Sequence, residues 1–251
     1  MFVVERQNKI LEMLNNQGKV KVKELSLLFD VSEDLIRKDL SFLCEKGLCV
    51  KAYGGATLVK QNLHNYQIQQ RKNSNIKNKQ IIAKKALKLI NEKDVIFLDI
   101  STINIELAYL IKDKFHQLTV VTNMIDVMNI LIDSPIKLIF IGGNINDQHD
   151  GFVGPLSVSH INNFYYDIAF LGTVGLNFEN QCIQTYDIFD GECKQAIIKN
   201  SKYKVVLLEE HKINNIGNYN YAKFNDINLY IFDDVNSANS QLLSTYQITH
   251  Q

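Results

Sequence analysis

The sequence predicts a two-part chain: a winged helix-turn-helix over residues 1–60 and, beyond a linker at 61–78, an α/β unit with a mainly parallel sheet over 79–251. Three observations predict it. Three helical periodicities separated by short turns fill residues 5–46. A glycine pair flanked by strand-like residues follows, the pattern of a hairpin. After residue 79 helical stretches alternate with short Val- and Ile-rich runs, the signature of a parallel sheet covered by helices.

In the first helix, Glu5 to Asn16, apolar Ile10, Leu11, Met13 and Leu14 follow helical spacing, and Gly18 supplies a stop. A second, about Val22 to Phe29, carries Leu25, Leu28 and Phe29 on one face, and Asp30-Val31 makes a tight turn. Ser32 then reads as an N-cap, with Glu33 and Asp34 in the first turn where the helix dipole favours acids. The third helix runs to about Lys46, burying Leu35, Ile36, Leu40 and Leu43, and Gly47 ends it. Leu48 to Val50 and Ala56 to Val59 are strand-like and flank Tyr53-Gly54-Gly55, so a hairpin wing is expected. Periodicity alone fits either a three-helix packing module with solvated charges or a DNA reader, in which the third helix enters the major groove, exposing Arg37 and Lys38, while Lys51 and Tyr53 reach the backbone or minor groove.

Composition adds little to that reading. Lys plus Arg and Asp plus Glu are 27 each, and residues 1–60 hold ten basic against eight acidic side chains, a weak footprint for a polyanionic partner. With 46% apolar residues the chain affords a sizeable core. Its apolar runs fall far short of the ~20 residues of a membrane span, so no membrane partner is expected. The four cysteines show no C-x-x-C spacing and no secretory segment follows Met1, which fits a reducing, cytoplasmic setting. Cys44 and Cys49, without histidines nearby, read as buried packing, and no metal or cofactor is expected.

Residues 60–78 are rich in Gln, Asn and Lys and lack apolar periodicity apart from Tyr66 and Ile68. Then come a helix at Lys79 to Ile90, strand Val95 to Asp99, helix Asn104 to Ile111, strand Thr119 to Thr122, helix Met124 to Ile132 and strand Lys137 to Ile141. Ligands of such sheets sit at the carboxyl ends of the strands. Polar or glycine clusters fall there: Asp99-Ile100-Ser101-Thr102, Thr122-Asn123, Gly142-Gly143-Asn144 and Gly151-Phe152-Val153-Gly154. Ser101 and Thr102 at a helix start offer hydroxyls and backbone N–H groups to a phosphate.

The run Ser32-Glu33-Asp34-Leu35-Ile36-Arg37-Lys38-Asp39-Leu40, followed by Tyr53-Gly54-Gly55-Ala56, resembles the DeoR family of bacterial regulators. So does the order Asp167 to Gly175, Glu192-Cys193-Lys194, Val205 to Glu209 and Lys212, which is similar to that family's sensor domain. The resemblance covers nearly the whole chain. It implies a sensor fold shared with ribose-5-phosphate isomerase, a double-stranded DNA operator read by Ser32, Glu33, Arg37, Lys38, Lys51, Tyr53, Gly54 and Gly55, and a homo-oligomer. It also implies a phosphorylated sugar effector held by Asp99, Ser101, Thr102, Asn123, Gly142, Gly143, Gly175, Glu192, Lys194 and Lys212. The expected activity is thus transcriptional regulation, most simply repression of a carbohydrate operon, and not catalysis.

The chain also departs from the family. Lys38 stands for a second Arg, losing bidentate guanine recognition, and Tyr53 for a frequent His. The usual Asp-Ser-Gly-Thr-Thr becomes Asp99-Ile100-Ser101-Thr102-Ile103, which adds a Cβ where a phosphate approaches backbone and removes a hydroxyl. Asp-Ser-Ser-Lys becomes Glu209-Glu210-His211-Lys212, adding a carboxylate. Two alternatives therefore stand beside the leading one: a regulator whose pocket has lost phosphate binding, and a sugar-phosphate isomerase using Asp99 or Glu192 as base.

Overall fold

A computed structural model describes residues 3–17, 19–46, 48–57 and 68–251. The chain divides into two compact units, Met1–Asn65 and Tyr66–Gln251. Gly18 and Gly47, expected as helix ends, and Val59, Lys60 and Tyr66 near the expected boundary lie outside the described residues.

In the first unit helix α1 spans Val3–Gln17, strand β1 Lys19–Lys21, α2 Val22–Phe29, α3 Glu33–Glu45, β2 Val50–Ala52 and β3 Gly55–Thr57. Ile10 and Leu14 of α1, Leu25 of α2, and Ile36, Leu40 and Leu43 of α3 close a small core with Val20 and Ala56. Each side chain so buried contributes about 1.5–3 kcal/mol. A charged contact reinforces it: Arg6 Nε donates to Asp39 Oδ2 at 2.6 Å, both side chains 4% exposed, and Gln7 takes the other carboxylate oxygen at 3.0 Å.

Two expectations for these helices need correction. Leu28 is 60% exposed, not part of the buried face of α2. At ~100° per residue, Val22, Leu25 and Phe29 cluster on one side and Leu28 falls roughly a quarter-turn away. Leu35 of α3 is half-buried rather than buried, because it sits on the first turn beside the Ser32 cap.

Strands β2 and β3 pair antiparallel around the Tyr53-Gly54 turn, and β3 also pairs with β1, giving the order β1-β3-β2. The wing is thus three-stranded, and β2 begins at Val50 rather than Leu48. Gly54 takes φ +74°, which glycine adopts freely. At Gly55 a Cβ would lie 2.0 Å from the Val20 carbonyl oxygen, so only glycine lets the wing lie against β1.

The second unit opens with helices α4, Ile68–Asn73, and α5, Ile76–Leu87, the latter beginning and ending three residues before the expected bounds. Six strands, β4 Val95–Leu98, β5 Thr119–Thr122, β6 Lys137–Phe140, β9 Tyr166–Gly172, β12 Ser201–Leu207 and β14 Leu229–Ile231, form a wholly parallel sheet in the order β14-β12-β9-β4-β5-β6. Between them run α6 Thr102–Lys112, α7 Ile125–Leu131, α8 Pro155–Ile161 and α9 Ile188–Lys199, and α10 Ser237–Thr245 follows.

Alternation along the strands feeds two cores. Ile96, Leu98, Val120, Ile168 and Phe170 pack with α5 and α6, whereas Phe97, Val121, Ala169, Leu171 and Val206 pack on the other face with α9. Antiparallel pairs complete the unit: β7 Asn144–Ile145 with β8 Phe152–Val153, and β10 Gly175–Asn177 with β11 Cys182–Thr185, which also pairs with β13 Tyr219–Lys223.

Candidate DNA-reading surface and effector site

The reading surface starts from the cap. Ser32 Oγ accepts the Leu35 N–H at 3.3 Å, fixing where α3 begins after the Asp30 turn, whose φ of 52° is left-handed. One face of α3 is then committed to the core through Ile36, Leu40 and Leu43, and the opposite face carries exposed Arg37 and Lys38. Arg37 is 57% exposed and donates to Glu33 at 2.7 Å and Asp34 at 2.9 Å. These exposed pairs are weak, so the guanidinium exchanges them readily for an acceptor on a ligand. Lys51 on β2 and Tyr53 at the turn are exposed too, with Gly54 and Gly55 shaping the wing. The eight expected DNA-reading residues therefore fall into two exposed groups of one unit, the front of α3 and the wing.

In the second unit the connection after β4 leads through α6 toward β5 and β6, and the chain after β9 leads the other way, to β12 and β14. The carboxyl ends of neighbouring β4 and β9 therefore form the switch point where open sheets bind ligands. Asp99 sits there, 1% exposed. Its two carboxylate oxygens accept the Gly172 N–H at 2.9 Å each and the Asn104 side chain at 2.9 Å, and Lys194 Nζ reaches Oδ2. Lys194, from α9, also lies 3.5 Å from Asp190, one helical turn before it, and 5.8 Å from the centre of the Tyr221 ring. Burial pushes the Asp99 carboxyl up to about 6, opposed by Lys194 and the Gly172 N–H, so it is ionised at neutral pH. Burial draws the Lys194 ammonium down, but Asp190 and Asp99 outweigh it and hold the group charged.

Ser101 caps α6, its Oγ accepting the Ile103 N–H at 3.4 Å, and its side chain fills the space beside Gly172. Thr102 borders a surface groove with Lys72, Ile76, Tyr109, Lys112 and Asp126. Asn123, 1% exposed, donates to the Phe152 carbonyl at 2.9 Å, joining the end of β5 to the β7–β8 hairpin. Gly142 and Gly143 follow β6; a Cβ on Gly143 would meet Ser157 Oγ at 2.0 Å, so this glycine seats α8. Gly175 lies on β10, where a Cβ would meet the Asn215 carbonyl oxygen at 2.1 Å. Lys212 pairs with the buried Glu209 beyond β12. Glu192 is half-buried two residues before Lys194, roughly 200° around α9 from it, so it turns away from Asp99.

The structure thus gathers Asp99, Ser101 and Lys194 at the switch point and Asn123 beside it, with Lys212 at the end of β12. It also adds residues the sequence did not single out. Arg71 of α4 donates to Asp150 at 3.3 Å, and the buried Lys79 of α5 bonds the Arg71 carbonyl. Burial pulls Lys79 down to about 8, with Glu209 opposing and Lys212 and Arg71 adding to the fall. Lys79 therefore feels both Arg71 and Lys212, cations that are each paired with a different buried carboxylate, Asp150 and Glu209. Among the described residues five buried side-chain polar atoms lack a hydrogen-bond partner, and four belong to this edge: Arg71 Nε, Asn104 Oδ1, Asn123 Oδ1 and Glu209 Oε1. Three of these four atoms are acceptor oxygens and one is a donor N–H.

The DeoR C terminal sensor domain family matches residues 74–234, and the DeoR-like helix-turn-helix domain family matches residues 6–62. The chain is 34% identical over 248 residues to the HTH-type transcriptional regulator GolR of Listeria innocua, covering 98% of this chain and 96% of that one. It is 33% identical to the L-fucose operon activator of Haemophilus influenzae, covering 91% of each, and 29% identical to the glycerol-3-phosphate regulon repressor of Escherichia coli, covering 84% and 83%. Among solved structures, ribose 5-phosphate isomerase A of Methanocaldococcus jannaschii aligns with a TM-score of 0.41 at 18% identity, over 56% of this chain and 55% of that one. With both family matches in sequence along one chain, it belongs to the DeoR family of helix-turn-helix transcriptional regulators.

Proposed function

We propose that the chain is a repressor of a carbohydrate-use operon that binds a double-stranded operator through α3 and the wing and releases it when a phosphorylated sugar binds at the carboxyl edge of the sheet. The observation that carries the effector half is the buried Lys79, whose charge is disfavoured by burial and by both Lys212 and Arg71. A sugar phosphate brings dianionic charge that offsets this repulsion. The DNA half is supported by exposed Arg37, Lys38, Lys51 and Tyr53 on a capped helix and a glycine-shaped wing. Relatives described as a glycerol-3-phosphate regulon repressor and an aga operon repressor support the same reading. A homo-oligomer accompanies it, because paired winged helices match paired half-sites.

The isomerase alternative fares worse on geometry. A general base must reach the proton it removes, yet the Asp99 oxygens are taken up by Gly172, Asn104 and Lys194, and Glu192 turns away. The test is thermal shift of the second unit within the full chain against a panel of sugar phosphates. A ligand at 100 times its dissociation constant stabilises by about 2.7 kcal/mol. Stabilisation by one phosphate and not by its dephosphorylated sugar is the expected result; none across the panel removes the effector.

A further inference from the structure

Cys44 lies in the last turn of α3 and Cys49 immediately precedes β2, the wing strand that carries Lys51. Their sulfurs stand 2.7 Å apart, both as free thiols. A disulfide bond is ~2.05 Å long, so the two atoms are well under one ångström from bonding distance. The backbone holds them there: the Leu48 N–H donates to the Leu43 carbonyl at 2.9 Å, closing the link between helix and strand, and the Cys49 thiol points at the Leu40 carbonyl. The remaining cysteines, Cys182 and Cys193, belong to the other unit and are buried.

We propose that Cys44 and Cys49 are a redox modification site, closing on oxidation to a reversible disulfide that ties the reading helix to the wing and weakens DNA binding. The oxidant is a peroxide. Cys44 is half-buried and the more accessible of the two, whereas Cys49 is 3% exposed and burial, with the Cys44 contact, pushes its thiol up to about 12. The Cys44 sulfur attacks one peroxide oxygen, giving a sulfenic acid and one water. The Cys49 sulfur then attacks the Cys44 sulfur, which expels the hydroxyl as a second water with the thiol's proton. Two thiols lose two electrons in all, and hydrogen peroxide is reduced to two waters. A dithiol reverses the step by exchange. The bond draws the start of β2 toward α3, while β2 remains paired with β3, so the strain falls on the placement of Lys51 relative to Arg37 and Lys38.

The weakening of DNA binding rests on the function proposed above; the bond itself does not. The full-length protein is treated with hydrogen peroxide, alkylated without reduction and digested with trypsin, which cuts after Lys38, Lys46 and Lys51. The expected product is peptide 39–46 linked to peptide 47–51, two hydrogens lighter than their sum. Full alkylation of both cysteines, or over-oxidation of Cys44 without linkage, overturns the site. In parallel, anisotropy is measured on a duplex selected from a random library by the reduced protein. Oxidised protein is expected to bind at least threefold more weakly, recovering with dithiothreitol, and Cys44→Ala to be insensitive to peroxide. Unchanged or tighter binding by the linked protein overturns the coupling. A reduced protein that selects no duplex overturns both the coupling and the DNA-reading function, while the peptide map still decides the existence of the bond on its own.

Discussion

Replacing Lys194 by Met removes the positive partner of a carboxylate that is already inside the protein. The two side chains are 3% and 2% exposed. Asp99 keeps the Gly172 and Asn104 hydrogen bonds, all at 2.9 Å, but loses its counter-charge. Breaking a buried pair from one side costs about 3–5 kcal/mol, because the remaining charge is stranded in a poorly polarisable interior. For a unit of this size that is roughly 6–20 °C in melting temperature.

The variant also carries a pH signature. In the wild type, burial already raises the Asp99 carboxyl from 3.8 to about 6 against the pull of Lys194. Without the lysine it rises further. A folded-state value above the unfolded one means that the folded chain binds the extra proton, so this group's contribution falls as pH rises through the window above about 4. Each pH unit across the window is worth at most about 1.4 kcal/mol. Urea denaturation followed by circular dichroism at pH 8 and pH 5.5 measures it. Lys194→Met should be strongly destabilised at pH 8 and recover much of the loss relative to wild type at pH 5.5, and Asp99→Asn in the Lys194→Met background should recover stability at both. A loss that is equal at the two pH values, or below about 1 kcal/mol at pH 8, would refute the placement of Asp99 and Lys194 as a buried ionised pair.

Other outcomes follow from the same contacts. Arg6→Met should destabilise the first unit by about 3–5 kcal/mol, leaving Asp39 buried and uncompensated, with the second unit's unfolding transition unmoved. Gly55→Ala, whose Cβ would meet the Val20 carbonyl oxygen at 2.0 Å, should abolish specific DNA binding with sugar-phosphate stabilisation intact. Arg37→Ala should weaken operator binding by about 1–3 kcal/mol in anisotropy titrations if Arg37 reads a base. Lys79, at about 8, is cationic below that pH, so sugar-phosphate affinity measured by calorimetry should decline from pH 7 to pH 9. In Lys79→Met that decline should flatten.

Much of the fold is legible locally, and the failures have local causes as well. The parallel strands at Val95, Thr119 and Lys137 are short β-branched runs between helices, and their register follows once both faces are buried. Ser32 announces α3 because capping is decided by one side chain and its own backbone. Strand β1, by contrast, is Lys-Val-Lys, one buried residue between two charged ones, and exists only because β3 lies beside it. The antiparallel pairing of β11 with β13 joins segments roughly thirty-five to forty residues apart through contacts that no local pattern records, whereas β10 and β11 form a local hairpin.

The site divides in the same way. Asp99, Asn123 and Lys194 follow from strand ends and from the family's order of motifs, whereas Arg71 and Lys79 lie in a polar stretch with no motif and gain meaning only when α4 and α5 fold over the sheet edge. Asp190, which the sequence reading did not single out, lies one helical turn from Lys194 and so comes alongside it. The Ile100 and Ser101 substitutions also acquire a reason: Gly172 and Gly151 leave the room these side chains fill.

The central claim is that one chain couples operator binding to a phosphorylated sugar, and anisotropy titration of the full-length protein on a selected duplex, with and without each member of a sugar-phosphate panel, tests it most directly. Binding that favours the selected duplex over a scrambled one, falls steeply with salt, and weakens by about fivefold or more with one sugar phosphate is the predicted result. No preference between the two duplexes, or a preference that no sugar phosphate alters, contradicts it.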